Sequence, residues 1–249
     1  MTPQRTTTIG TAFALGAAVG AAAVAGRTLA TLVRASAGHP WRHRVLDLAS
    51  KVLQRKFPVE AMSTYLDGIH MYADETGRQV EAAHFCTHLE HDFHQCVIFD
   101  RNGPGARLIG IEYIISAERF RTLPTEEHRL WHSHDYEVTS GLLTAPGVPG
   151  VAERAYFRDL VSTYGKTFHT WEVDRDDFPY GLPKLMMGFT ADGQARDELI
   201  AARDRRIGVS TEKNRRRRRR ISAPEVVPGA NSWESGRVVQ VGAREVDVS

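Results

Sequence analysis

The sequence predicts an α+β fold: a single mixed or antiparallel-sheet domain with flanking helices, an N-terminal apolar helix and a disordered basic C-terminal tail. Three observations predict it. Between residues 58 and 203, short apolar runs bounded by Gly, Pro, Asn and Asp are mixed with helical stretches, without the regular alternation of a doubly wound sheet. Gln95–Phe99 and Arg107–Ile115 flank Asp100-Arg-Asn-Gly-Pro-Gly105, a hairpin signal in which Gly and Asn supply positive φ and Pro104 stops the ladder. Charge is also partitioned: residues 1–56 carry +7, residues 57–200 carry −11 and residues 201–249 carry +6, within a net +2 over 249 residues. An acidic globule between basic arms is not a nucleic-acid-binding core.

The first element is residues 1–38. Thr6 to Gly26 is an uncharged run rich in Ala and Gly, long enough to cross a bilayer as a helix but poor in large apolar side chains. Gly16 and Gly20 have the small-xxx-small spacing of closely packed membrane helices. Ala35-Ser36-Ala37 resembles a signal-peptidase site, although Arg27 and Arg34 separate it from the apolar run. The segment reads first as a membrane anchor, with export after cleavage near Ala37 as the alternative. Residues 39–57 read as a basic amphipathic helix, with Trp41, Val45, Leu48 and Val52 on one face and Arg42, Arg44, Lys51, Arg55 and Lys56 around the rest. The partner expected through this N-terminal region is a lipid surface or membrane.

Within the globule, residues 58–203, Tyr65–Ala73 and Val80–Cys86 read as strands, followed by the hairpin. Arg119–Trp131 is helical, interrupted at Leu123-Pro124, with Thr125 placed to cap a new turn. Tyr136–Leu143 reads as a strand and Val151–Tyr164 as a helix with Ala155, Leu160 and Val161 inward. Thr167–Val173 and Leu185–Thr190 read as the last strands. Residues 204–249 hold six consecutive arginines, Arg215–Arg220, whose mutual repulsion predicts a solvated, disordered arm.

Candidate chemistry centres on eleven histidines. His132-Ser-His134 would share a face on a strand, which suits two ligands of one metal. Glu137 follows one residue too early for the cupin-type metal motif. His84 and Glu112 are the groups that would complete such a site. Two histidines with one misplaced carboxylate are not a full ligand set, so no cofactor is predicted and hydrogen-bonded histidines are expected, with a divalent metal as the alternative. His84, His88, His91 and His94 have helical spacing, but His84-Phe-Cys86 and Gln95–Phe99 read as strand. Glu81-Ala-Ala-His84 matches half of a di-iron bundle motif, and the second copy is missing. Cys86 and Cys96 either face one another across adjacent strands or remain free thiols, free thiols being the default in a reducing compartment. A thiol nucleophile beside His132 or His134 is the other enzymatic option. No nucleophile elbow, phosphate-binding loop or dinucleotide fingerprint is present.

Ordered segments across Tyr65–Gln194 carry a resemblance. They include Asp67-Gly-Ile-His-Met-Tyr-Ala-Asp74, Ala106-Arg-Leu-Ile-Gly-Ile-Glu-Tyr113, Leu130-Trp-His-Ser-His134, Tyr164-Gly-Lys166, His169-Thr-Trp171 and Thr190-Ala-Asp-Gly-Gln194. This stretch, about half the chain, resembles the oil body-associated protein family. The family usually has two adjacent histidines before the aromatic and Cys86, where this chain has Ala83 and His84. The resemblance implies association with lipid-storage bodies and supplies no reaction. The expected function is therefore a non-enzymatic lipid-droplet or membrane-surface protein. The alternative is a small metal- or thiol-dependent enzyme built around His132, His134 and Glu137.

Overall fold

A computed structural model describes residues 46–248 apart from residues 48 and 52. The apolar run 6–26, the cleavage-like Ala35-Ser36-Ala37 and the stripe Trp41, Val45, Leu48 and Val52 therefore lie outside the described residues. Among the described residues, 46, 47, 49–51 and 53 are helical, and no helix is long and apolar enough to cross a membrane.

After the short helix α1 (Phe57–Glu60) come β1 (Thr64–Tyr72), β2 (Glu75–Glu90), β3 (Phe93–Phe99) and β4 (Leu108–Ser116), each antiparallel to the one before. Helices α2 (Ala117–Arg121) and α3 (Thr125–His128) follow, then the two-residue strand β5 (His132–Ser133), α4 (Asp135–Ser140) and α5 (Gly150–Leu160). Strands β6 (Thr163–His169) and β7 (Lys184–Met187) and helices α6 (Asp197–Ile207) and α7 (Thr211–Arg218) complete the order, with a 3-10 turn at Ser232–Ser235. The strand order is β4-β3-β2-β1-β7-β6-β5, and β4 also pairs with β6 along its length. That last pairing closes six strands into a barrel and removes the edges an open sheet would expose.

Closure explains the length of β2. Its first part pairs with β1 and its second with β3, overlapping at Ala83–Cys86. A strand that changes neighbours along its length turns a corner of the ring. Side chains opposite one another then define the interior: Cys86, Cys96, Glu112, Thr167 and Met186 face each other in one row across five strands. Cys86 and Cys96 are joined by a disulfide, so the strand-facing option holds and neither cysteine is a free thiol. One end of the interior is apolar, where Leu66, Ile114 and the disulfide meet Val138 of α4 and Phe157 and Leu160 of α5. The outer face of β1, with Ile69 and Met71, is covered by Leu142 and by α6 through Leu199 and Ile200.

Several elements differ from the sequence reading. Tyr136–Leu143 is not a strand: residues 135–140 are helical, with Asp135 and Glu137 in the first turn and Gly141 at φ +84° ending the helix. The alternation of Tyr136 and Val138 mimics a strand, but acidic residues at the start and a left-handed glycine at the end favour a helix. A side chain at Gly141 would also overlap the backbone of α7, so the residue must be small. Pro124, not Thr125, occupies the cap position of α3. In α5 the inward residues are Glu153, Phe157 and Leu160, and Ala155 is exposed. The helix ends early enough for β6 to begin at Thr163, and β6 stops at His169 rather than Val173.

The C-terminal tail differs most. Two helices occupy residues 197–218, and the arginine run is not a free arm. Arg218 is fully buried: one of its Nη atoms donates to Glu153 Oε1 at 2.5 Å, and the other donates to the Val138 and Leu143 carbonyls. Its guanidinium lies 3.5 Å from the centre of the Phe157 ring. Arg203 is equally buried and donates to Asp67 Oδ1 and to the Asp67 and Leu142 carbonyls. Repulsion along the run is relieved because Arg215 and Arg216 take Asp192 and Glu212 as partners.

Removing one partner of a buried ion pair strands the other. Arg218→Ala is therefore expected to lower stability by about 3–5 kcal/mol in denaturant melts. The exposed Arg217, Arg219 and Arg220 should each change it by no more than about 0.5 kcal/mol on the same substitution. Equal effects at all four positions would mean that the run acts only through its summed charge.

Candidate functional site

The middle layer of the barrel interior is polar. β1 contributes His70, β2 His84, β4 Glu112, and β6 Thr167 and His169, all on inward-facing positions. β5 contributes His132, which sits opposite Gly165 of β6. His134 stands at the N-terminal boundary of α4 and Glu137 lies in its first turn, so the turn from β5 into α4 delivers both. Glycines make the space. A Cβ at Gly165 would overlap Glu112 Oε1, and one at Gly188 would come within 2.7 Å of Glu137 Oε2.

All five residues singled out from the sequence converge here, although His132 and His134 do so through a strand-to-helix turn rather than one extended strand. Glu112 is the centre. Its Oε2 is 2.8 Å from His84 Nε2 and 3.9 Å from His70 Nε2, while its Oε1 is 3.1 Å from His134 Nε2 and 3.7 Å from His132 Nε2. Glu137 Oε2 lies 3.9 Å from His132 Nε2. Two donor triads result, His70–His84–Glu112 and Glu112–His132–His134, each with its atoms within 4.8 Å of one another. These are the residues that could hold a metal. All are buried, none more than 4% exposed.

Electrostatics follow from burial. Burial alone would raise the Glu112 carboxyl, but the imidazoles of His84 and His134 outweigh it and hold the group well below the ordinary carboxylate value. Burial, with the nearby Glu112 and Asp135, pushes Glu137 well above that value. Burial also pushes His132 and His169 down to about 3 and His70 well below 6.5. The site thus sets the Glu112 carboxylate among imidazoles, of which burial holds His70, His132 and His169 neutral. Several nitrogens lack a hydrogen-bond partner: both of His132, and Nδ1 of His84 and of His169.

His70 and His169 escaped the sequence reading as site residues. They face each other through His70 Nδ1 and His169 Nε2 at 3.1 Å. A signal existed: His70 interrupts the inward register of β1 between Leu66 and Tyr72, and each of the two lies in a segment carrying the family resemblance. His88 and His94 do not join the cluster; they pair across the β2–β3 hairpin with ring centres 3.9 Å apart. His91 is exposed at the hairpin turn. Ala83, where the family has another histidine, faces away from the interior, so the departure leaves His84 in place. With both cysteines in the disulfide, no thiolate is available and the thiol-dependent option is withdrawn.

A closed antiparallel barrel with a buried His and Glu layer defines the class of protein. The family model described as a protein of unknown function, DUF1264, matches residues 56–222. The chain is 47% identical over 207 residues to oil body-associated protein 1A of Zea mays, covering 82% of this chain and 86% of the relative. It is 44% identical to oil body-associated protein 1B of Arabidopsis thaliana, covering 82% and 85%, and 43% identical to oil body-associated protein 2A of Zea mays, covering 76% and 77%. The chain belongs to the oil body-associated protein family. No solved structure matches it.

His169 gives a measurable pH dependence. Its folded value near 3 lies below an unfolded value near 6.5, so between these pH values the unfolded chain binds more protons. Its contribution is fully present above about pH 6.5 and is lost as pH falls through that window. In urea melts from pH 7 to 4, His169→Gln should reduce the slope of stability against pH by up to about 1.4 kcal/mol per pH unit. An unchanged slope would show that His169 is not held neutral.

Proposed function

We propose that this chain is a non-enzymatic protein of lipid-droplet or membrane surfaces, docked through its N-terminal segment. The observation that carries the reading is the match over three-quarters or more of the chain to relatives named for oil bodies. Local chemistry supports it. Leu46, Leu53 and Phe57 are all more than 60% exposed, and Lys51, Arg55 and Lys56 alternate with them along the chain. Apolar side chains interspersed with basic ones suit an interface in which the former enter the acyl boundary and the latter meet anionic headgroups. The sealed histidine layer supports the non-enzymatic half, since a substrate would have to pass through a packed barrel wall to reach it. The metal-dependent enzyme around His132, His134 and Glu137 requires such a passage.

The test is flotation with triacylglycerol droplets coated in a phospholipid monolayer containing phosphatidylserine. The full chain should float, and the chain lacking residues 1–56 should stay in the soluble fraction with its circular dichroism unchanged. Equal flotation of both would remove the N-terminal segment from the reading. Failure of both would remove the lipid surface itself.

A second reading, export with cleavage near Ala37, is favoured by the Cys86–Cys96 disulfide, because such bonds persist in oxidising compartments. Intact-mass measurement of the protein from its native cells should then give a chain beginning at Gly38. A mass that retains residues 1–37 excludes it.

A further inference from the structure

Among the sites in the molecule, the proton inventory of the buried layer carries furthest. Thr163 Oγ1 donates its single proton to the Leu160 carbonyl at 2.7 Å. Toward His134 Nδ1, at 2.8 Å, that oxygen can therefore only accept. His134 Nδ1 consequently carries a proton, and Nε2 approaches Glu112 Oε1 to 3.1 Å. That approach requires a positive centre between the two atoms, either a second proton on the ring or a metal ion.

The neighbouring ring repeats the problem. His132 is fully buried, and neither nitrogen has a hydrogen-bond partner, yet its Nε2 is aimed at the space between Glu112 and Glu137. Leaving a polar atom unpaired in such a place costs about 1–3 kcal/mol, and a cation between Glu112 and Glu137 would pair the His132 Nε2 lone pair. No lysine or arginine fills that role: the partners of Glu112 within ion-pair distance are imidazoles among the described residues.

We propose that the barrel interior binds one divalent transition-metal ion in the Glu112–His132–His134 triad, with His70 and His84 holding the other carboxylate oxygen of Glu112. Spacing supports it. Two donors bonded to one ion at about 2.1 Å lie about 3 Å apart at a right angle and about 4.2 Å apart when opposed. The separations of Glu112 Oε1 from His134 Nε2 and His132 Nε2, 3.1 and 3.7 Å, lie within that span, and the three donor atoms lie within 4.8 Å of one another. Donor chemistry selects the class, because imidazoles with one carboxylate suit zinc, iron or manganese rather than calcium or magnesium. Charge limits the number: even with Glu137 ionised beside a cation, Glu112 and Glu137 balance no more than one dication, and two would leave excess positive charge in a closed interior. Outer contacts are in place as well, with Thr163 fixing the His134 tautomer and His169 meeting His70 Nδ1. The ion is enclosed, which makes it part of the fold rather than a substrate-facing centre. This inference is independent of the lipid reading, and neither fails with the other.

The experiment is elemental analysis of the full chain, purified without chelator from cells grown in medium supplemented with zinc, iron and manganese. About one ion of a single element per chain is expected, and Glu112→Gln and His134→Ala should each lower it at least tenfold. His91→Ala, at the exposed turn, should leave it unchanged. Because a substitution inside the barrel can itself disturb folding, the wild-type chain is also produced in cobalt-supplemented medium. Visible ligand-field absorption is expected from cobalt bound by imidazole and carboxylate. A metal-free wild type without that absorption overturns the proposal and assigns the layer to a protonated imidazole–carboxylate network. Two ions per chain overturn the single-ion site.

Discussion

Burying a carboxylate in a closed barrel costs several kcal/mol unless donors surround it, and much of this structure is arranged around that condition at Glu112. Four imidazoles approach it from β1, β2, β5 and the start of α4, elements far apart in sequence. The ring must close for them to meet, because Glu112 on β4 reaches His132 and His134 only through the β4–β6 and β5–β6 pairings. Gly165 lies between these partners, and the space left by its missing side chain is where the Glu112 carboxylate sits. Apolar contacts at one end, from Leu66 and Ile114 to Phe157, keep water from the layer and make the imidazoles the dominant partners of the charge.

The turn from β5 into α4 is the most demanding part of this arrangement, and the C-terminal helices hold it. Arg218 from α7 grips the carbonyls of Val138 and Leu143, on either side of the end of α4, and Arg203 from α6 grips that of Leu142. Gly141 lets α7 approach closely enough for this. Two arginines thus bind the segment carrying His134 and Glu137, while their own charges are met by Glu153 and Asp67. The family model ends at residue 222, just beyond these helices, which fits their being part of the domain rather than an appendage.

Much of this was legible in the sequence where the information is local. The β3–β4 hairpin could be read because its loop holds Asn102, Gly103, Pro104 and Gly105 between apolar runs. The strands β1 and β2 were visible for the same reason, although the length of β2 was not, since a strand that changes neighbours has no special local pattern. Residues 135–140 were misread because six residues are too few for helical periodicity to outweigh a two-residue alternation. Charge density alone predicts a solvated arm at Arg215–Arg220. What orders it is Glu153, more than sixty residues earlier, on a helix face that the sequence suggested would be Ala155. The site was half legible for a related reason. His132, His134 and Glu137 are neighbours in sequence, whereas His70 and His169 join only through the barrel's closure.

The outer and inner chemistries of this chain are separate in space, and that separation bears on how function is divided. Each strand has one face toward the polar layer and one toward helices or solvent, so inward residues can be held fixed while outward ones change. Ile111, exposed on β4, faces the opposite side of the strand from Glu112. The Cys86–Cys96 bond belongs to the inner set: it lies in the same inward row as Glu112 and ties β2 to β3 one position away from it. A buried layer organised in this way governs whether the barrel closes. Side chains outside it can vary without disturbing that closure.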